Sequence, residues 1–135
     1  MKTTKSILAS LVLILLVSVS AMAQSESKVI AVINKAEWCS VCQQNDQRAM
    51  AAFMENNKDM AIQFVANDLT NEETKKKSAA ELKKFGLDKT MENYKGTGVA
   101  YFFNSGTGAL ISQVSVAKTD QELAEALLTA KRGLN

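Results

Sequence analysis

The chain has 135 residues, with 16 Lys plus Arg against 14 Asp plus Glu, two cysteines, no histidine and no proline. That length suits one domain with a single core, and a formal net charge of +2 provides no basic excess for holding nucleic acid or an anionic membrane surface. The lack of histidine excludes every Cys-His, Ser-His and His-metal mechanism.

Lys2 and Lys5 open the chain, Ile7 to Val19 is almost wholly apolar, and Ala21-Met22-Ala23 has the small-residue pattern of a cleavage site. Residues 1–23 are therefore expected to be a secretory signal peptide, with one folded domain over residues 24–135. The competing reading retains the stretch as an uncleaved anchor, but the 17 residues from Ile7 to Ala23 fall short of the roughly 20 that span a bilayer. No cysteine follows Ala23 at the cleavage site, which argues against a lipid-modified cysteine anchor. The two leader lysines account for the whole positive excess, so the domain beyond them is neutral. Export to the periplasm or cell exterior would place both cysteines where a disulfide persists.

Val29-Ile30-Ala31-Val32-Ile33 is a continuous apolar run of strand length, as expected for a central strand covered on both faces. It leads through Asn34 into Lys35-Ala36-Glu37-Trp38-Cys39-Ser40-Val41-Cys42, and from Ser40 to about Asn56 no Gly or Pro interrupts a helical pattern carrying Ala49, Met50, Phe53 and Met54. A second strand is expected at Ala61 to Ala66. Thr70-Asn71-Glu72-Glu73 then has the form of a capping box, opening a helix with Ala79, Leu82 and Phe85 on one face and a stop at Gly86. Lys75-Lys76-Lys77 reads as a solvated face of that helix. Leu87 to Gly98 is a loop. Val99 to Phe103 and Ala109 to Val116 flank the turn residues Asn104-Ser105-Gly106-Thr107-Gly108 and predict a hairpin. A second capping-box pattern at Thr119-Asp120-Gln121-Glu122 starts a last helix with Leu123, Leu127 and Ala130 inward. The order is β-α-β-α-β-β-α, an α/β chain whose first two strands should be parallel neighbours.

The two cysteines stand in a Cys-x-x-Cys at the start of the first helix, close enough in that geometry to close and reopen a small disulfide ring. Unpaired N–H groups and the helix dipole at Cys39 favour an anion, so its thiol pKa is expected below the free value of about 8.5. Cys42, one turn further in, would be less exposed and resolve a mixed disulfide formed by Cys39. Trp38 has two readings, an apolar rim beside the sulfur or a plain packing residue, and Glu37 reads as a solvated charge.

Ala36-Glu37-Trp38-Cys39-x-x-Cys42, set between the first core strand and a helix, resembles the active site of the thioredoxin family, and Phe102-Phe103-Asn104-Ser105-Gly106 resembles the end of its penultimate strand and following turn. The resemblance covers essentially the whole domain. It implies a thioredoxin-like fold, a central mixed β-sheet of about four strands flanked by helices, and thiol-disulfide exchange with protein thiols or disulfides through Cys39 as nucleophile and Cys42 as resolving thiol. It also implies an unidentified redox partner and no metal or other cofactor. Trp38, Thr97 and Gly98 fall where the family contacts its substrate, with Gly98 matching the position of a cis-proline. Ile33 stands where many thioredoxins carry a buried acid, so deprotonation of Cys42 would need another group or water. Ser40-Val41 replaces the Gly-Pro of general reductases.

Two other classes compete with an exported oxidoreductase. A secreted binding or scaffold protein would use the disulfide only to staple the helix start. A metal-binding dimer would pool four cysteines, because two thiolates fill only half of a tetrahedral zinc site. No nucleic acid, and no membrane after removal of the leader, enters the reading.

Overall fold

Five consecutive apolar residues need cover on both faces, and β1 (Val29–Lys35) obtains it by lying inside the sheet with helices packed on either side. The computed structural model describes residues 27–133, so the expected signal peptide lies outside the described residues. After β1 come α1 (Ser40–Glu55), β2 (Ile62–Asp68), α2 (Glu72–Lys83), a 3₁₀ turn (Thr90–Asn93), β3 (Val99–Asn104), β4 (Leu110–Ser115) and α3 (Asp120–Arg132). This is the expected order, with the 3₁₀ turn as an addition inside the loop from Leu87 to Gly98.

The sheet runs β2-β1-β3-β4. β1 pairs parallel with β2, Val29 opposite Ile62, as a crossover through α1 requires. It pairs antiparallel with β3, Val29 opposite Asn104, and β3 pairs antiparallel with β4. Alternation along β1 then sends Val29, Ala31 and Ile33 to one core with Ala49, Phe53, Phe102, Leu123 and Leu127. Ile30 and Val32 go to the other, with Leu82, Leu87, Met91 and Phe103. Phe53 has no exposed surface and stacks on Phe64 at 5.5 Å while meeting the edge of Phe102 at 6.3 Å. Burial of one such side chain contributes about 1.5–3 kcal/mol.

The second helix differs from expectation in its cap and its buried face. Its N-cap is Asn71, paired reciprocally with Thr74, instead of Thr70 paired with Glu73, because Thr70 is occupied elsewhere. Its buried residues are Ser78 and Leu82, whereas Ala79 is exposed and Phe85 lies beyond the helix, half-exposed. Ser78 is turned inward by the strand: its hydroxyl oxygen accepts the N–H of Asp68 at 2.9 Å. The three lysines face solvent, and Lys75 and Lys77 each pair with an acid of the first turn at 3.3 Å. The last helix has the expected cap, Thr119 with Glu122, and buries Leu123, Leu127 and Ala130. Among the described residues no helix is long and apolar enough to cross a membrane.

Candidate thiol-disulfide site

The parallel pairing of β1 and β2 ends at Lys35 opposite Asp68, so the chain leaves the sheet at its carboxyl edge just before the cysteines. The Cys39 N–H donates to the Ala36 carbonyl at 3.1 Å, and this turn puts Cys39 at the N-cap of α1 in extended geometry, φ −87° and ψ 108°. Its sulfur accepts the N–H of Cys42 at 3.3 Å, as a capping side chain would. The first turn of α1 holds no acid, so no neighbouring charge within that turn opposes an anion at that sulfur. Cys39 and Cys42 are joined in a disulfide with Cα atoms 5.3 Å apart. Cys39 is 7% exposed and Cys42 2%, which agrees with the expected ranking of the two.

Trp38 is 63% exposed, so it is not a packing residue. Its indole N–H donates to the Thr70 carbonyl at 3.2 Å, and the Glu37 N–H donates to the Thr70 hydroxyl at 3.0 Å. Thr70 is in turn fixed by Asp68, whose Oδ1 accepts both the Thr70 hydroxyl and its N–H, the latter at 3.0 Å. The hydroxyl bond, more than any other contact, holds the Asp68 carboxyl below the usual range, against the opposing effect of burial. Neither Thr70 nor Asp68 stands out in the sequence as a site residue. The Thr-x-x-Glu pattern that points to a helix cap conceals a threonine that braces the loop carrying Trp38. Beside Trp38 opens a groove of about 440 Å³, lined by Leu69, Leu82, Met91, Tyr94 and the amide of Asn67 among others.

Gly98 lies against the disulfide. It is buried, with φ +72°, and a Cβ at this position would fall 3.7 Å from the Cys42 sulfur and only 2.9 Å from Cγ1 of Val41. No peptide bond among the described residues is cis. The Gly98 N–H donates to the Asn34 carbonyl at 2.8 Å, and the Gly98 carbonyl accepts from the Val116 N–H at 2.9 Å. A proline has no N–H and keeps φ near −65°, so this backbone has no room for one. Thr97, half-buried, precedes it at the same edge.

Asn34 holds the same loop a second time. Its side-chain amide donates to the Tyr94 carbonyl at 2.8 Å, and its Oδ1 accepts from the Asn67 amide at 2.8 Å. Asn34 has no exposed surface, so these bonds satisfy groups that burial would otherwise penalise. Sequence reading passes over both asparagines because they follow apolar strand residues and resemble turn formers. Ile33, by contrast, is 7% exposed, belongs to the apolar core and offers no proton acceptor. Among the described residues no cluster of three or more His, Cys, Asp or Glu side chains is placed to hold a metal ion.

No family model matches the sequence, and no curated protein matches it at a significant level. Several solved structures do match the fold. Trxlp from Edwardsiella tarda EIB202 superposes with a TM-score of 0.50 at 16% identity, covering 82% of this chain and 91% of its own. StoA from Bacillus subtilis gives 0.49 at 13%, covering 76% and 84%. A secreted Mycobacterium tuberculosis disulfide oxidoreductase homologous to E. coli DsbE gives 0.49 at 14%, covering 82% and 85%. The four-stranded mixed sheet, its flanking helices and the Cys-x-x-Cys disulfide at the first helix start together make this a thioredoxin-like fold.

Proposed function

We propose that the protein is an exported thiol-disulfide oxidoreductase acting on protein thiols and disulfides. The observation that carries the reading is the position of Cys39: N-cap of a sixteen-residue helix, disulfide-bonded to a more deeply buried Cys42. In the reducing direction the Cys39 thiolate attacks a substrate disulfide, forming a Cys39–substrate bond and releasing one substrate thiolate. Cys42 then attacks the Cys39 sulfur, closing the internal disulfide and releasing the second thiolate, and solvent protonates both products. The oxidising direction is the reverse. In this reading a substrate segment would lie across the exposed Trp38 and the half-buried Thr97, over the buried Gly98 that packs on the disulfide. The sequence of residues 1–23 supports export to the periplasm or beyond the cell, and an external partner must reset the cysteines after each turnover.

The test is insulin reduction with a chemical dithiol as electron source. The protein should accelerate precipitation of the reduced chains, and Cys39→Ser should abolish the acceleration. Unchanged activity in Cys39→Ser would sink the reading. A second reading, a binding protein with a structural disulfide, draws on the low exposure of both sulfurs; it requires a disulfide that does not exchange at all.

A further inference from the structure

The buried stripe of α1 runs through Cys42, Ala49 and Phe53, at positions i, i+7 and i+11. Position i+4 of that stripe is Asp46, a half-buried charged residue where helical spacing calls for an apolar one. One of its carboxylate oxygens, Oδ1, is buried and has no hydrogen-bond partner. A carboxylate oxygen buried without a partner is unfavourable, so its place on this stripe asks for a reason. Its apolar neighbours do not provide one. Ile33, Met50, Phe64, Val65 and Ala66 line the cavity of about 350 Å³ into which it opens. Lys35, at the end of β1, is the one charged group that acts on it; β2 contributes only apolar side chains to this cavity, and α1 adds the neutral Gln47. Burial outweighs the Lys35 charge and raises the Asp46 pKa, which makes its carboxylate a better proton acceptor.

We propose that Asp46 is the proton partner of Cys42, accepting its thiol proton directly or through one water as Cys42 resolves the mixed disulfide. This deepens the oxidoreductase reading and rests on it. Residues i and i+4 on one helix face bring their Cβ atoms within about 6 Å, a separation that a direct hydrogen bond or one bridging water between the two side chains can span. In the step, the Cys42 sulfur forms a bond to the Cys39 sulfur, the Cys39–substrate bond breaks, and the substrate thiolate leaves. The Cys42 proton goes to the Asp46 carboxylate, which later gives it to solvent. The substrate disulfide is the oxidant. The acid absent at Ile33 is thus supplied from the helix on the opposite side of the same layer.

The test follows the reduced protein reacting with an aromatic disulfide whose released thiolate is coloured. The first release, by Cys39, depends on reagent concentration; the second, by Cys42, does not, and so is measured separately. One proton shared between Asp46 and Cys42 makes the reactive fraction constant between the two macroscopic pKa values of the pair. The second-phase rate should therefore be level between those two values and rise tenfold per pH unit over the same range in Asp46→Asn, where only hydroxide removes the proton. Asp46→Glu should restore at least part of the plateau. Matching profiles in the unaltered protein and Asp46→Asn overturn the proposal. Should the first phase be missing altogether, the oxidoreductase reading fails, and Cys42 alone decides this one. In Cys39→Ser, alkylation of Cys42 against pH should show two inflections, reduced to one in Cys39→Ser/Asp46→Asn; one inflection in both also overturns it.

Discussion

The Gly98 N–H donates to the Asn34 carbonyl at 2.8 Å, tying the loop that faces the disulfide to the last buried residue of β1. The bond explains why the chain can dispense with proline here. The loop is held by a main-chain hydrogen bond and a left-handed glycine, where a proline would rely on its ring.

Substitution at Gly98 tests that account. Gly98→Ala forces an L side chain to φ +72° and drives its Cβ to 2.9 Å from Val41 Cγ1, a branched side chain with little freedom to turn aside. It should lose about 1–3 kcal/mol of stability in denaturant titration. Adding Val41→Ala should recover part of the loss, since that half is steric. Gly98→Pro should be worse than Gly98→Ala, because it also breaks the bond to Asn34.

Asn34 should be costly to replace although it does no chemistry. Asn34→Ala leaves the Asn67 amide without its acceptor at a buried position and the Tyr94 carbonyl without its donor at a part-buried one. The expected cost is about 1–3 kcal/mol for each group left unpaired. A midpoint shift within error in urea would contradict it.

The brace under Trp38 should fail in acid. The Asp68 carboxyl is held below its usual range by the Thr70 hydroxyl and N–H, so its contribution is complete above the unfolded value of about 3.9 and is lost as pH falls through the lower folded value. Trp38 is the sole tryptophan, so its emission should change with an inflection below about pH 4. In Asp68→Ala that inflection should vanish, with the neutral-pH spectrum already altered.

Asp46 should act on stability with the opposite sign. Its pKa is raised by burial, so the folded state keeps the proton to higher pH than the unfolded chain does, and stability falls as pH rises through the folded value. Asp46→Asn should remove this loss and raise the melting temperature at pH 7, while changing little at pH 3.

Elements set by local pattern were legible in the sequence. The apolar run of β1, the capping box at Thr119 and the inward face of Leu123, Leu127 and Ala130 all appear where composition and spacing place them. The cysteine pair was legible for the same reason, being a local spacing between strand and helix. Residues whose role depends on distant partners were not. Thr70 has the sequence of a helix cap and instead bonds Glu37 and Trp38 from 33 and 32 positions away. Asp46 looks like any solvated helix acid until the stripe through Cys42 and Ala49 is known to be buried. Gly98 was legible as the position facing the sulfurs, but its φ and its bond to Asn34 are properties of the assembled sheet edge.

The most direct test of the central claim is the reduction potential of the Cys39–Cys42 pair, measured at equilibrium against glutathione at pH 7. An exchanging site should give a value between about −120 and −270 mV, the span of proteins that turn over disulfides. A value below about −300 mV, with no exchange detected, would mark the bond as an inert staple and contradict the account.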